Sequence, residues 1–464
     1  MEALAVFASA LTVVPVILSI VAGAGTVESL APGFPPSNKM DGMKNPFYLI
    51  DAGLNQSVID LRKIGSAEIG FQDSNGRDRK RPIRGVLALL KISSGARRNV
   101  PAENAGQSPF AGNGEIQVPN GATENASAWT GPALRLTDGR VLAGQLKSVD
   151  AALEFIIWES DQLGTLAASF DDLRHLTLHP AISKPDNVPN AAADGDQSPG
   201  GDVVELVNGD RIHGFISGLT LRSVEIETAD DRITLESDLV ASLSFENEPL
   251  RPNADACRIW LDDGSVVDVD TTRFKTEGGS LRLALRGGGG GDRFVPFQTV
   301  RAVAFRAGTV RSLSSLNPRM IDKADYDANE IIWYDLSVQP LVENSDRPLQ
   351  LGDILIEGPC AIAYELPNGA SSVSMFAEIP REALEWADFD LVYEMGGREL
   401  FRAHFNEEHQ AEFVSFDIPS TPKSSSSSSS TSATLDLIIR VVDAGRGPIQ
   451  DFIRLNRPVL LISP

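Results

Sequence analysis

The sequence predicts an all-β chain, with several small antiparallel β-meander or barrel units followed by a C-terminal jelly-roll β-sandwich. Three observations carry that expectation. Apolar and polar residues alternate in strand-length runs along most of the chain. Asp138-Gly139, Asn208-Gly209 and Asp263-Gly264 stand between such runs, where a tight hairpin needs residues that accept positive φ. From Ile331 onward, strand-like runs such as IIWYDLSVQPL and TLDLIIRVVDAG follow one another with turn residues between them and no helical period.

Length and composition set the frame for these elements. A chain of 464 residues exceeds one hydrophobic core and is expected to split into domains. Hydrophobic residues at 42% and charged residues at 22% suffice for packed cores, while 40 Gly and 28 Pro supply turns and linkers. Lys and Arg number 41 against 63 Asp and Glu, and a formal charge of −22 repels a phosphate backbone, so no nucleic-acid partner is expected. The one basic run, Arg77 to Arg84, reads as a solvated turn. Cys257 and Cys360 stand far apart in different segments and read as small buried apolar side chains, not a disulfide or a metal site. His213, His404 and His409 are scattered. His175 and His179 would share one face of the strand-like LRHLTLHP, with no third ligand nearby.

Residues 1–25 are expected to be a signal peptide or membrane anchor, because Leu4 to Gly25 is uncharged, apolar and long enough to cross a bilayer. Only Glu2 precedes it as a charge, and Pro15 interrupts it; a buried helix is the alternative. The chain is therefore expected to be exported to the periplasm, the cell surface or the medium, touching membrane only through this segment. Residues 26–46 read as a spacer, and 99–130 and 181–201, rich in Pro, Gly, Asn and Ala, as linkers. Ser424 to Ser430 reads as a loop insertion between two strands of the last domain.

Between the linkers a pattern recurs. From Gly131 (GPALRLTDGRVLAGQLKSVDAALEFIIW) and from Gly201 (GDVVELVNGDRIHGFISGLTLRSVEIET) the chain gives a strand, a turn dipeptide, a second strand reaching Gly144 or Gly214, and a third strand. These define β repeat units at 131–180 and 202–250. A further unit is expected at 256–310, with Val269 in place of the later glycine and the run Gly287 to Gly291 as a hairpin loop. Residues 47–98 share only the rhythm and read as a degenerate unit. The turn-and-glycine pattern weakly resembles the small barrel of Sm-like proteins, without their RNA-binding loop chemistry.

The last domain is expected at 322–464. Ala363-Tyr364-Glu365-Leu366-Pro367-Asn368-Gly369-Ala370 followed by VSMFAEI, the strand ending Gly397-Arg398-Glu399-Leu400-Phe401, and LIIRVVDAGRGPIQDF with Asp443, Gly445, Gly447 and Asp451 fall in a characteristic order. In that order the domain resembles the novel putative carbohydrate-binding module (NPCBM) family, a galactose-binding-like β-sandwich. It departs from the family at Gly358-Pro359-Cys360-Ala361, where such modules carry a histidine. The resemblance implies a glycan partner and no cofactor other than a structural calcium in the sandwich.

Sugar recognition needs an aromatic platform and convergent polar groups. Trp333, Tyr364, Trp386, Asp443, Asp451 and Arg454 are the candidate ligand-binding residues, and Trp386 leads because the EALEWADFD segment reads as a loop. No catalytic residues are assigned: no G-x-S-x-G, H-E-x-x-H, CxxC or dinucleotide fingerprint occurs. The expectation is a non-catalytic exported glycan binder. The alternative is a structural component that meets envelope proteins and holds no sugar.

Overall fold

The structure is a computed structural model, and it describes residues 43–92, 131–150, 154–179, 201–250, 253, 255–286, 291–321, 339–345, 347–419, 436–447 and 451–463. The N-terminal apolar segment, residues 99–130 and 181–200 of the linkers, Trp333, Gly287 to Gly290 and the Ser424 to Ser430 run lie outside the described residues. Among the described residues no helix is long and apolar enough to cross a membrane.

Four units repeat one order of elements. The first runs β1 (Pro46–Asp51), β2 (Gln56–Ile64), β3 (Glu68–Gln72), β4 (Asp78–Pro82), one 3-10 turn and β5 (Val86–Lys91). The second runs β6 (Ala133–Leu136), β7 (Val141–Ala143), β8 (Gln145–Val149), β9 (Phe155–Ser160), β10 (Gly164–Ser169), a 3-10 turn and β11 (Leu173–Thr177). The third runs β12 (Asp202–Leu206), β13 (Arg211–Leu219), β14 (Ser223–Glu227), β15 (Arg232–Glu236), a 3-10 turn and β16 (Val240–Ser244). The fourth runs β17 (Cys257–Leu261), β18 (Val266–Val269), β19 (Lys275–Glu277), β20 (Ser280–Ala284), β21 (Asp292–Pro296), a 3-10 turn and β22 (Val300–Ala304). Residues 46–91, which share only a rhythm with the others in sequence, thus share their full element order.

The recurring glycine has a steric cause. The leading half of β13 pairs with β12 as far as Asp202↔Gly214, and its trailing half pairs with β14 from Phe215↔Glu227. At this change of partner the third strand crosses closely. A Cβ on Gly214 would lie 2.4 Å from the Glu227 carbonyl oxygen, and one on Gly144 would lie 2.1 Å from that of Glu159. Where Val269 takes this place the strand stops instead. Asp270 caps a 3-10 turn by accepting the Thr272 N–H, and β19 opens a separate sheet with β20 and β21.

The units join edge to edge in the order third, second, fourth, first. Third and second meet through their last strands, with Leu176↔Leu243 flanked by His175↔Ser244 and Thr177↔Ser242. Fourth and first meet through theirs in the same way, with Val303↔Leu89 flanked by Ala302↔Leu90 and Ala304↔Ala88. In both junctions the central pair is the fourth residue of each strand, so a local two-fold relates the two units. Second and fourth meet through second strands at Val141↔Val266, and each valine lies two residues beyond its turn glycine. Arg258 clamps this junction, pairing with Asp268 at 2.7 Å and donating to the Asp138 carbonyl at 3.0 Å. All four units contribute to one apolar core that includes Phe47, Trp158, Val224 and Phe274.

The C-terminal domain is an antiparallel two-sheet sandwich. Its strands are β23 (Val310–Ser312), β24 (Pro318–Met320), β25 (Leu341–Glu343), β26 (Asp353–Glu357), β27 (Cys360–Glu365), β28 (Ala370–Glu378), β29 (Phe389–Met395), β30 (Arg398–Phe405), β31 (Ala411–Asp417), β32 (Asp436–Asp443) and β33 (Phe452–Ile462). One sheet has the order β25-β26-β33-β28-β31 with β23 also on β33, and the other β24-β27-β32-β29-β30. Strict alternation fills the space between them, as in Leu437, Ile439 and Val441 against Val373, Met375 and Ala377. The Tyr393 hydroxyl spans the sheets to the Met375 sulfur at 2.9 Å. Because β23 and β24 pair into the sandwich, it begins before residue 322.

The first and fourth units pack on the sandwich through Ile50, Leu54, Leu90, Ala302, Val310 and Val459. The Ser374 hydroxyl donates to the Leu54 carbonyl at 2.9 Å, and the Arg457 guanidinium lies 3.6 Å over the Tyr48 ring. Arg347 grips the buried Asp353 through two bonds, and Asp353 also accepts the Arg457 N–H at 3.1 Å.

Gly214→Ala is expected to destabilise the third unit by about 1–3 kcal/mol, the usual cost of overpacking a closed site. Thermal unfolding checks it: an unchanged transition would mean that the close approach to Glu227 is not a constraint.

Candidate functional site

One loop end of the sandwich gathers exposed aromatic and charged side chains. The 383–388 loop is pinned by small residues, since Ala383 and Ala387 are each 1% exposed and the Ala387 N–H donates to the Ala383 carbonyl at 3.1 Å. Trp386, between them, is 57% exposed. Next in the chain, the Asp388 carboxylate takes His404 Nε2 at 3.2 Å and Arg446 Nε at 3.4 Å. Two residues on, Asp390 takes His404 Nδ1 at 3.0 Å and Arg402 Nη1 at 2.6 Å. Asp390, His404 and Arg402 meet because β29 and β30 set Asp390 opposite His404 and Val392 opposite Arg402.

A second loop lies against the first, joined where the Ala444 N–H donates to the Asp388 carbonyl at 2.9 Å. Asp443 Oδ1 accepts the N–H groups of Gly445 and Gly447 at 3.0 and 3.1 Å. Both glycines hold positive φ, 122° and 89°, which explains their residue type. Beneath these loops Asp451 is fully buried. Its Oδ1 accepts a long bond from the Asp388 N–H at 3.4 Å, its carbonyl accepts the Gly358 N–H at 2.7 Å, and its Oδ2 has no hydrogen-bond partner among the described residues. Burial, with the negative charges of Asp443 and Asp388, pushes the Asp451 carboxyl up to about 7 against the pull of its single amide bond.

The sequence candidates separate accordingly. Trp386, Asp443 and Asp451 belong to this end. Arg454 sits on β33 of the other sheet, opposite Leu355 and Glu378, with its guanidinium 3.6 Å from Glu343. Tyr364 corrects the sequence reading: it is 1% exposed in the sandwich core, where burial raises its hydroxyl pKa, and it offers no face to a ligand. Trp333 lies outside the described residues. Sequence reasoning did not single out Asp388, Asp390, His404, Arg402 or Arg446. Their signal is the facing alternation of acids on one strand and bases on the next.

Other sequence features resolve into structure. The basic run becomes β4 and its flanks, with Arg79 on Asp73, Lys80 on Glu68 and Arg81 on Asp51, so its charge is largely matched. His175 sits at the second–third junction, 2.9 Å from the Ser244 hydroxyl. The strands flanking the glycine run pair at Ala284↔Asp292. Among the described residues no group of three His, Cys, Asp or Glu side chains is arranged to hold a metal ion. Of the three aspartates at this end, Asp388 is engaged by Arg446 and His404, and Asp443 by loop amides. Cys360, in the segment without the family histidine, is largely buried, and burial pushes its thiol up to about 12.

No protein-family model matches the chain, and no curated protein matches it. Among solved structures it is similar to a CBM51 module from Clostridium perfringens GH95 in complex with methyl-galactose, at 15% identity, 33% of this chain, 99% of that chain and a TM-score of 0.22. It is also similar to the tandem CBM51 modules of a family 98 glycoside hydrolase from Streptococcus pneumoniae, at 12% identity, 45% of this chain, 71% of that chain and a TM-score of 0.24. A family 6 carbohydrate-binding module matches at 10% identity, 33% of this chain, 94% of that chain and a TM-score of 0.19. TM-scores this low establish neither a shared fold nor a shared ligand.

The Asp451 carboxyl yields a pH prediction. Its folded value near 7 lies above the ordinary 3.8, so the folded protein holds this proton more tightly than the unfolded chain. The contribution is full below about pH 4 and is lost as pH rises to about 7. Asp451→Asn is therefore expected to raise the melting temperature relative to wild type in mildly alkaline buffer and to change it little in acid. Equal shifts at both ends would show that the carboxyl does not titrate in this window.

Proposed function

We propose that the chain is a non-catalytic exported protein whose C-terminal sandwich binds a glycan of the cell surface or envelope at the loop end carrying Trp386. The observation that supports this reading most is the exposed indole beside two loops rich in polar side chains. An indole offers a flat apolar face to the C–H side of a pyranose, and the carboxylate, imidazole and guanidinium groups of the same loop end can meet the hydroxyls. Asp388, Asp390, His404, Arg402 and Arg446 already brace one another, so a sugar hydroxyl would meet groups with little side-chain freedom left to lose. Export rests on the apolar run Leu4 to Gly25.

The test is retention of the full chain on a glycan array at neutral pH, beside Trp386→Ala. Removal of an exposed platform is expected to weaken binding about tenfold or more, near 1.4 kcal/mol, and to leave the melting temperature unchanged. If no glycan retains the wild-type protein, or if Trp386→Ala binds as well as wild type, this assignment fails.

A further inference from the structure

The alternation of junctions leaves one end of the unit array unfinished. From the first unit to the third, neighbours meet by last strands, then by second strands, then by last strands again. The next junction at either end would use a second strand. At the first unit that strand is β2, and Gln56 at its start donates to the Arg457 carbonyl of the sandwich at 3.4 Å. At the third unit it is β13. Its leading half, Arg211 to Gly214, pairs with β12 on one side, and among the described residues no strand pairs with the other.

This edge is built for pairing. The bond from the Leu206 N–H to the Asp210 carbonyl fixes the alternation along the hairpin. Ile212 and Gly214 therefore turn their main-chain groups toward β12, and Arg211 and His213 turn theirs outward. Phe215, one residue beyond the bend, is 66% exposed. Registers place Asp60 and Gln145 at the matching position of the first two units and Asp270 in the fourth, so the third alone puts an apolar ring there. Phe215, Leu221, Leu239 and Leu250, all of this unit, are half of the eight exposed large apolar side chains among the described residues.

We infer that a second copy of this chain pairs antiparallel with the Arg211–Gly214 edge of β13 about a two-fold axis, repeating between molecules the second-strand junction that joins the second and fourth units. The partner is a second copy because that internal junction is isologous. Val141 pairs with Val266, its own equivalent, and the matching residue on β13 is Arg211, so the edge meets its like. Two Arg211 side chains would then face each other. Each keeps its own Glu205 carboxylate at 3.7 Å as a counter-charge. The inference is independent of any sugar ligand.

Sedimentation equilibrium of the full chain across micromolar concentrations tests it, with three variants. His213→Pro removes an outward N–H while leaving the β12 ladder intact, and is expected to raise the dimer dissociation constant about tenfold or more. Arg211→Val installs the residue found at both sides of the internal junction and is expected to tighten the dimer. Trp386→Ala is expected to leave it unchanged. A wild-type chain that stays monomeric overturns the inference, as does an oligomer whose dissociation constant responds to neither β13 variant. Because Arg211→Val acts in the opposite direction, a folding defect in His213→Pro cannot imitate the expected pair of results.

Discussion

A five-stranded unit of this kind leaves edges open on its last strand, on the strand before it and on the leading half of its second strand, and the order of the units in residues 46–304 follows from pairing the first and third of these. Unpaired edges carry free N–H and C=O groups that would otherwise recruit other chains. Here last strands pair with last strands and second strands with second strands, and the same register recurs. Leu176↔Leu243 and Val303↔Leu89 occupy matching positions in two separate junctions. Because every junction is a local two-fold, the spatial order need not follow the chain order. The second unit bonds to the third and the fourth while lying between them.

The edge pairing also sets how the sandwich is held. With the last strands of the first and fourth units joined, Leu90 and Ala302 lie on one continuous surface, against which Val310, Leu351 and Val459 pack. Leu54 holds a positive φ of 60° there and gives its carbonyl to Ser374, and Arg457 holds 43° while its guanidinium covers Tyr48. Non-glycine residues in this region cost energy, and they persist where surrounding contacts over-determine them. The contact thus behaves as an interior surface, not as a flexible linker between domains. It also leaves the opposite end of the array, with the leading half of β13, without a strand partner among the described residues.

Much of this was legible in the sequence, and the misses have physical causes. Asp138-Gly139 and Asn208-Gly209 could be read directly because turn geometry depends on two residues. Gly144 and Gly214 could be read because only glycine tolerates a carbonyl at 2.1 to 2.4 Å from its Cβ position. The first unit escaped because Ile59, not glycine, stands at its change of partner, so the fold survived while its marker did not. The order of units was not legible, since an apolar last strand such as VRAVA says that its edge is covered and not by what. The Asp390–His404 pairing was hidden by a bulge between Tyr393 and Glu394, which shifts any register counted back from Gly396-Gly397 by one residue. A one-residue shift in a strand moves a side chain to the opposite face.

Trp386 is a different kind of feature, because nothing in the packing requires it. The loop that carries it is anchored by Ala383 and Ala387, small side chains that fill the core on either side and leave the indole outside. Trp158, by contrast, is fully buried, and its ring fills the second unit where Gly144 leaves room for it. An exposed indole forgoes most of the burial free energy that makes tryptophan useful to a fold. Asp451 makes a similar concession beneath the same loops, keeping a buried carboxylate oxygen without a hydrogen-bond partner among the described residues. Two unfavourable placements within one loop cluster are hard to explain as scaffold, and local conflicts with folding economy are where a protein's binding chemistry is expected to sit.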